Sequence, residues 1–263
     1  ERAYLAGATV DLSGLDFRET DLSHLNLQYV NFDGTDFRKA DLRDSQFGPI
    51  TGAKFDNANM FDASISDLAD CSLKKTNLRD ARLNPIRLQQ CDFTGADLRE
   101  STSSFTICNG GVSFQRANLT DGNFEKSQFE SVDFTGANLS KGRFADCDFS
   151  HANLSRVNFS GADLSNAKLL GADLTKANFT GANLSTADLT DAIVAGASFK
   201  DANIGGANFD NVETAEAKHL DVGQTAAVGA KGPNLTELEK VAKKAKRLET
   251  SITTKLPSGK VEL

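Results

Sequence analysis

From Phe114 to Phe209 every fifth residue is large and apolar, 20 positions in all with no slip. Phe114, Leu119, Phe124, Phe129 and Phe134 open the series, and Val194, Phe199, Ile204 and Phe209 close it. Two residues before each stands a small one: Ala in 13 cases, and Val, Gly, Ser or Cys in the other seven. The positions between them hold Asn, Asp, Ser, Thr, Lys and Gly. A period of five fits neither an α-helix nor a plain strand. It predicts a chain that turns a corner every five residues. The large residue and the small one both point inward, and the rest point out. Four fives per turn make a coil of square cross-section. Self-similarity at a fixed period marks a repeat architecture.

The same rule governs the earlier chain less regularly. Residues 1–11 read as an entry coil, with Leu5 and Val10 as imperfect repeats. Fives then run from Leu12 to Phe47. Gly48, Pro49, Ile50, Thr51 and Gly52 come next and read as three added residues, a protruding turn marked by Pro and Gly. Phe55, Met60 and Ile65 follow, then a slip of two residues, then a register from Leu68 to Cys108. Residues 109–113 contain one extra residue, and Asn109-Gly110-Gly111 reads as a small bulge or loop. The total predicts about ten coils, a rod of roughly 50 Å at ~4.8 Å between stacked strands. Residues 20 apart should stack. Phe159, Phe179 and Phe199 would form an aromatic column, and Asn118, Asn138, Asn158 and Asn178 an amide ladder.

Repeats such as Ala162-Asp163-Leu164-Ser165-Asn166 and Ala182-Asn183-Leu184-Ser185-Thr186 resemble the pentapeptide-repeat family. The resemblance covers about four fifths of the chain. It implies an all-β solenoid, a right-handed quadrilateral parallel β-helix, over residues 1–210.

Beyond residue 210 the fives stop. Residues 211–233 read as an Ala- and Gly-rich linker. In 234–263, Asn234 and Glu237 have capping-box spacing. Leu235, Leu238, Val241, Ala245 and Leu248 then form the apolar stripe of a C-terminal α-helix, followed by a short β tail. That stripe has two readings: a cap over the open coil end, or a homodimer contact.

Composition agrees with a narrow core: 39% hydrophobic, no Trp, and 16 of the 18 Phe at central positions of the fives. No apolar run is long enough to span a membrane. No signal-peptide pattern is visible, so the expected location is cytoplasmic, or secreted without such a signal. The start at Glu1 without Met reads as a fragment or module of a longer protein.

Candidate chemistry is sparse. Cys71, Cys91 and Cys147 take small inward positions and Cys108 a central one, without zinc-type spacing. Cys71 and Cys91, one coil apart, read as stacked buried thiols. His24, His151 and His219 read as solvated. Asp recurs because it takes one outward position of the repeat. No catalytic, cofactor or metal site is expected, and the expected activity is non-enzymatic.

Two functions remain. The leading one is a protein-interaction scaffold, an effector-type module whose irregular turns, Gly48–Thr51 and Asn109–Gly111, make contact. The other is implied by the resemblance. One bacterial branch of the family imitates duplex DNA and protects DNA gyrase or another type II topoisomerase from fluoroquinolones. Net charge is −7, with −9 in residues 1–210 and +2 beyond. The expected contact is a face lined by Asp121, Asp133, Asp146 and Asp148. Neither reading binds nucleic acid directly.

Overall fold

The computed structural model describes residues 10–83 and 86–212. Its logic is legible in one repeat. Ala162 N–H donates to Phe159 O at 3.0 Å, closing a tight turn. Asp163 N–H donates to Gly142 O in the coil before (2.9 Å). Leu164 N–H and Asn166 N–H donate to Asn183 O (2.7 Å) and Ser185 O (2.9 Å) in the coil after. The fifth amide, Ser165 N–H, reaches neither coil and donates to the Asp163 side chain at 3.0 Å. All five donors are satisfied, as buried backbone requires. The last bond explains why Asp or Asn precedes most central residues. It makes an Asx turn; Ile193, which holds this position before Val194, offers no such acceptor. The residue two after the centre, Asn166 here, takes φ 57° and turns the corner.

The repeats stack in parallel as four faces. The first carries Leu12, Phe32, Ile50, Leu68, Leu88 and Cys108 inward; the second begins at Phe17, the third at Leu22 and the fourth at Leu27. Most pairing is by single bridges. Short strands form where the chain stays straight for longer. On the first face these are β1 (Val10–Asp11), β3 (Val30–Asn31), β5 (Ile50–Thr51), β6 (Leu68–Ala69), β7 (Arg87–Gln89) and β8 (Ile107–Asn109). On the fourth face are β2 (Asn26–Leu27) and β4 (Gln46–Phe47). β5 to β8 form one parallel sheet in chain order. Among the described residues no helix occurs.

The core is a set of columns. Phe159 stacks on Phe179 at 5.3 Å between ring centroids, and Phe179 on Phe199 at 4.9 Å, as the spacing predicts. The amide ladder runs from Asn178 to Asn158 to Asn138, each Nδ2 donating to the next Oδ1 at 3.0 Å. Asn118 continues it through backbone pairing with Asn138 and accepts the Thr120 hydroxyl at 2.6 Å. Ser103 is a polar exception at a central position. Its hydroxyl donates to Leu83 O (2.9 Å), and Ser127 donates to its carbonyl (3.0 Å), so the buried oxygens are paired.

One expectation is corrected. Gly48–Thr51 is not a protruding turn. Ile50 is 2% exposed and pairs with Leu68 on the first face. The corner from Phe47 to Ile50 is two residues shorter than usual, and the slip at Ile65–Leu68 is the same device one coil later. The two coils therefore pair at a spacing of 18, as Asp36 with Lys54 and Lys54 with Ser72. Gly48 is required there, because a Cβ would lie 2.5 Å from Gln28 O. The extra residue at 109–113 does appear, and Asp92 pairs with Ser113 at a spacing of 21. The expected linker beyond residue 212 and the C-terminal helix, with Leu235, Leu238, Val241, Ala245 and Leu248, lie outside the described residues.

Candidate interaction surfaces

The four aspartates do not share a face. Asp133 lies on the second face and Asp148 on the first, each beside an inward residue. Asp121 (φ 58°) turns the corner between the third and fourth faces, and Asp146 (φ 58°) the corner between the fourth and first. Asp133 accepts the amide and hydroxyl of Thr135 at 2.9 and 2.6 Å. Burial works against the charged form of Asp133, and the Thr135 bonds outweigh it and hold the carboxyl below its ordinary range. Asp148 is lowered in the same way, with Lys168 adding to the Ser150 bonds.

Acidity concentrates elsewhere. The first face carries Asp11, Asp67, Asp148 and Asp188 in its ladder, with Asp33, Glu130 and Asp210 beside them. Its cations are Arg87 and Lys168. The corner between the third and fourth faces stacks Asp44, Asp62, Asp80, Glu100 and Asp121 in successive coils. Much of that ridge is neutralised: Arg82 meets Asp62 at 2.7 Å, and Arg79 meets Glu100 at 2.7 Å and Asp80 at 3.5 Å; His24 Nδ1 lies 3.1 Å from Asp44.

Asp-x-Arg pairs went unread in the sequence. Asp16–Arg18, Asp36–Arg38, Asp41–Arg43 and Asp97–Arg99 bridge one inward residue, with Nη2–Oδ2 distances of 2.5 to 2.6 Å. Hydrogen bonds from Arg18 hold the Asp16 carboxyl at about 2. The spacing alone identifies these pairs, because residues on either side of an inward position both face out.

The irregular turns differ from one another. Pro49 and Thr51 are exposed, but Gly48 and Ile50 are buried, so this stretch forms a notch in the corner. Gly110 (φ 48°) and Gly111 (φ 66°) stand exposed just past β8, and Gly110 O accepts Gln90 N–H at 3.0 Å. All four cysteines are free and buried. Burial raises the Cys108 thiol and pushes Cys147 up to about 12; the neighbouring Cys91 and burial raise Cys71. His24 pairs with Asp44, His151 is exposed, and His219 lies outside the described residues. Among the described residues no group of three His, Cys, Asp or Glu has metal-ligand geometry.

Coil-on-coil parallel pairing around one apolar core defines the class: a parallel β-solenoid of five-residue repeats. The chain belongs to the pentapeptide repeat family, whose model matches eight copies across residues 10–47, 66–102, 113–150, 143–181 and 177–213. Membership implies a right-handed coil. Among solved structures it is similar to HetL, a pentapeptide repeat protein involved in heterocyst differentiation regulation from the cyanobacterium Nostoc. Identity is 23%, over 79% of this chain and 90% of that one, with a TM-score of 0.53; this likeness is one of fold. Full-length QnrB1, a plasmid-mediated fluoroquinolone resistance protein, is 19% identical over 83% of this chain and 99% of its own, with a TM-score of 0.29. A thylakoid-lumen pentapeptide repeat protein of Arabidopsis thaliana is 34% identical over 44% of this chain and 72% of its own, with a TM-score of 0.23. At those scores neither superposition carries an argument. No curated protein matches the chain.

Proposed function

We propose that this chain is a non-catalytic protein-interaction scaffold, a module that works by surface contact within a longer effector-type protein. The observation that supports it is the complete use of backbone donors, as in residues 162–166, which makes a stiff rod with outward side chains at fixed intervals. Function then resides in which charges occupy which face. The first face is the leading contact, because its carboxylates face few cations. Affinity capture with the full chain, compared with Asp148→Lys/Asp188→Lys, tests this. Loss of a partner from the variant alone supports the reading; an unchanged set of partners contradicts it.

The same acidic face favours a second reading, imitation of duplex DNA toward DNA gyrase. A duplex carries one charge per ~1.7 Å of axis, far denser than this face. Titrating the chain into a gyrase supercoiling assay with a fluoroquinolone separates the readings. Inhibition or rescue that Asp148→Lys/Asp188→Lys abolishes supports the mimic; no effect at tens of micromolar removes it.

A further inference from the structure

The corner between the second and third faces is cationic. Lys75, Arg116 and Arg156 occupy its turning position in every second coil, and Lys176 follows Arg156 directly; nearer the start of the rod Lys39 holds the same position but is paired with Glu19 at 2.9 Å. Two coils span about 9.6 Å, twice the ~4.8 Å strand spacing. Glycine holds the turning position in two of the coils between, where a side chain would make only ordinary van der Waals contact. Gly95 lies under the Lys75 stem and Gly136 under Arg116, where an added Cβ would stand 3.6 and 3.8 Å from the respective Cγ atoms.

Packing does not explain the charge. Ten arginines lie among the described residues, and eight form ion pairs. The two that do not are Arg116 and Arg156, both exposed on this ridge. Lys75 and Lys176 also have no acidic partner within the described residues. Arg156 and Lys176 are like charges in adjacent coils, an arrangement that opposes itself without an anion between them. Each cation also holds a positive φ, 55° at Arg116 and 60° at Arg156, where Gly would be easier.

Around Arg116, Arg156 and Lys176 the ground beside the ridge is hydroxyl and amide. Thr135, Ser155 and Thr175 lie on the second-face side, Asn138 and Asn158 on the third. In those coils Asp133 and Asp173 stand across the second face and accept the amides of Thr135 and Thr175; in the coil before Arg116, Asp97 lies on the third-face side and is paired with Arg99.

We infer that this ridge binds a linear acidic polysaccharide carrying one carboxylate per disaccharide, laid along the rod with a carboxylate at every second coil. Arg116 and Arg156 would each take a carboxylate through two parallel N–H donors, and the flanking Asn, Ser and Thr would bond sugar hydroxyls. A protein partner would want an apolar core to the contact, and single-stranded nucleic acid would want aromatic platforms; this strip offers neither. The ligand stands apart from the protein partner proposed above, since it uses a different edge of the rod.

The test is binding of the full chain to hyaluronan, with neutral cellohexaose and oligo(dT) in parallel. Hyaluronan is expected to bind and to weaken with salt, and Arg116→Gln/Arg156→Gln to bind at least about tenfold more weakly. Lys126→Gln/Lys141→Gln removes two corner cations off the ridge and should leave binding unchanged. In the unaltered chain, bound hyaluronan should slow phenylglyoxal modification of Arg116 and Arg156 but not of Arg87 on the first face. The inference is overturned by absent binding at low salt, by equal loss in both double variants, by equal protection of all three arginines, or by oligo(dT) binding as tightly. Asp148→Lys/Asp188→Lys should bind hyaluronan at least as well, so failure of the scaffold reading and failure of this one are distinguishable.

Discussion

Phe37 and Phe55 stack with ring centroids 5.1 Å apart and planes 9° from parallel, although 18 residues separate them. Phe114 and Phe134, 20 apart, stack at 5.0 Å and 8°. Phe93 and Phe114, 21 apart, stack at 4.7 Å. The aromatic column does not register the shortened and lengthened coils. Missing and added residues are absorbed at corners, where side chains face out, and the inward columns stay continuous.

An inward phenylalanine and one on a corner should therefore respond very differently to truncation. Phe159 is fully buried between aromatic neighbours, and Phe159→Ala should cost about 3–5 kcal/mol. Phe105 is 58% exposed at φ 64°, a corner that suits Gly. Its ring gains a contact with Lys126, whose Nζ lies 5.7 Å from the centroid. That gain and the relief of strain are of similar size, about 1 kcal/mol each, so Phe105→Gly should fall within about 1 kcal/mol of the parent. Denaturation midpoints check both.

Gly48 tests the shortened corner. With Gln28 O only 2.5 Å from an added Cβ, Gly48→Ala should destabilise by about 1–3 kcal/mol. Gly181→Ala meets no atom within 4 Å but holds φ 66°, so it should lose only about 1 kcal/mol. Thermal unfolding of the two variants gives the order.

The Asx turn makes a chemical prediction. Asn158 accepts Ser160 N–H at 3.1 Å, so Asn158→Ala orphans that amide and removes two rungs of the ladder, to Asn138 and from Asn178. The expected loss is about 1–3 kcal/mol. Asn158→Asp keeps the acceptor and should lose less. Equal losses for the two would remove the turn from the account.

Acid should loosen the N-terminal half first. Side-chain bonds from Arg18, Arg38, Arg43 and Arg99 lower the carboxyls of Asp16, Asp36, Asp41 and Asp97 from the ordinary 3.8, Asp16 to about 2. A folded-state value below the unfolded one gives stability that is complete above 3.8 and lost as pH falls through the folded value. Stability against urea should be flat from neutral pH to about 5 and fall below 3.8, and Arg43→Gln with Arg99→Gln should flatten that fall.

Much of this was legible in the chain, and the boundary has physical causes. Phe159, Phe179 and Phe199 declare their column because a repeat of 20 residues returns each to the same face. Ile50 did not declare itself: three residues from Phe47, between Pro49 and Thr51, it reads as a loop by composition, and only its pairing with Leu68 reveals an inward position. The expectation that Asp121, Asp133, Asp146 and Asp148 share a face failed because the face depends on position within the five as well as on the coil. Arg116 and Arg156 fall into line once the chain is set in that register.

The central claim is a single continuous rod, unbroken at its irregular corners, from which surface contacts follow. Native-state hydrogen exchange on the full chain tests it most directly. The account predicts that Phe37, Phe55 and Met60 amides, which donate across the shortened coils at 2.7 Å each, exchange as slowly as those of Leu139 and Leu164. Fast exchange confined to residues 47–68, with slow exchange on either side, would show two rods joined at a hinge and contradict it.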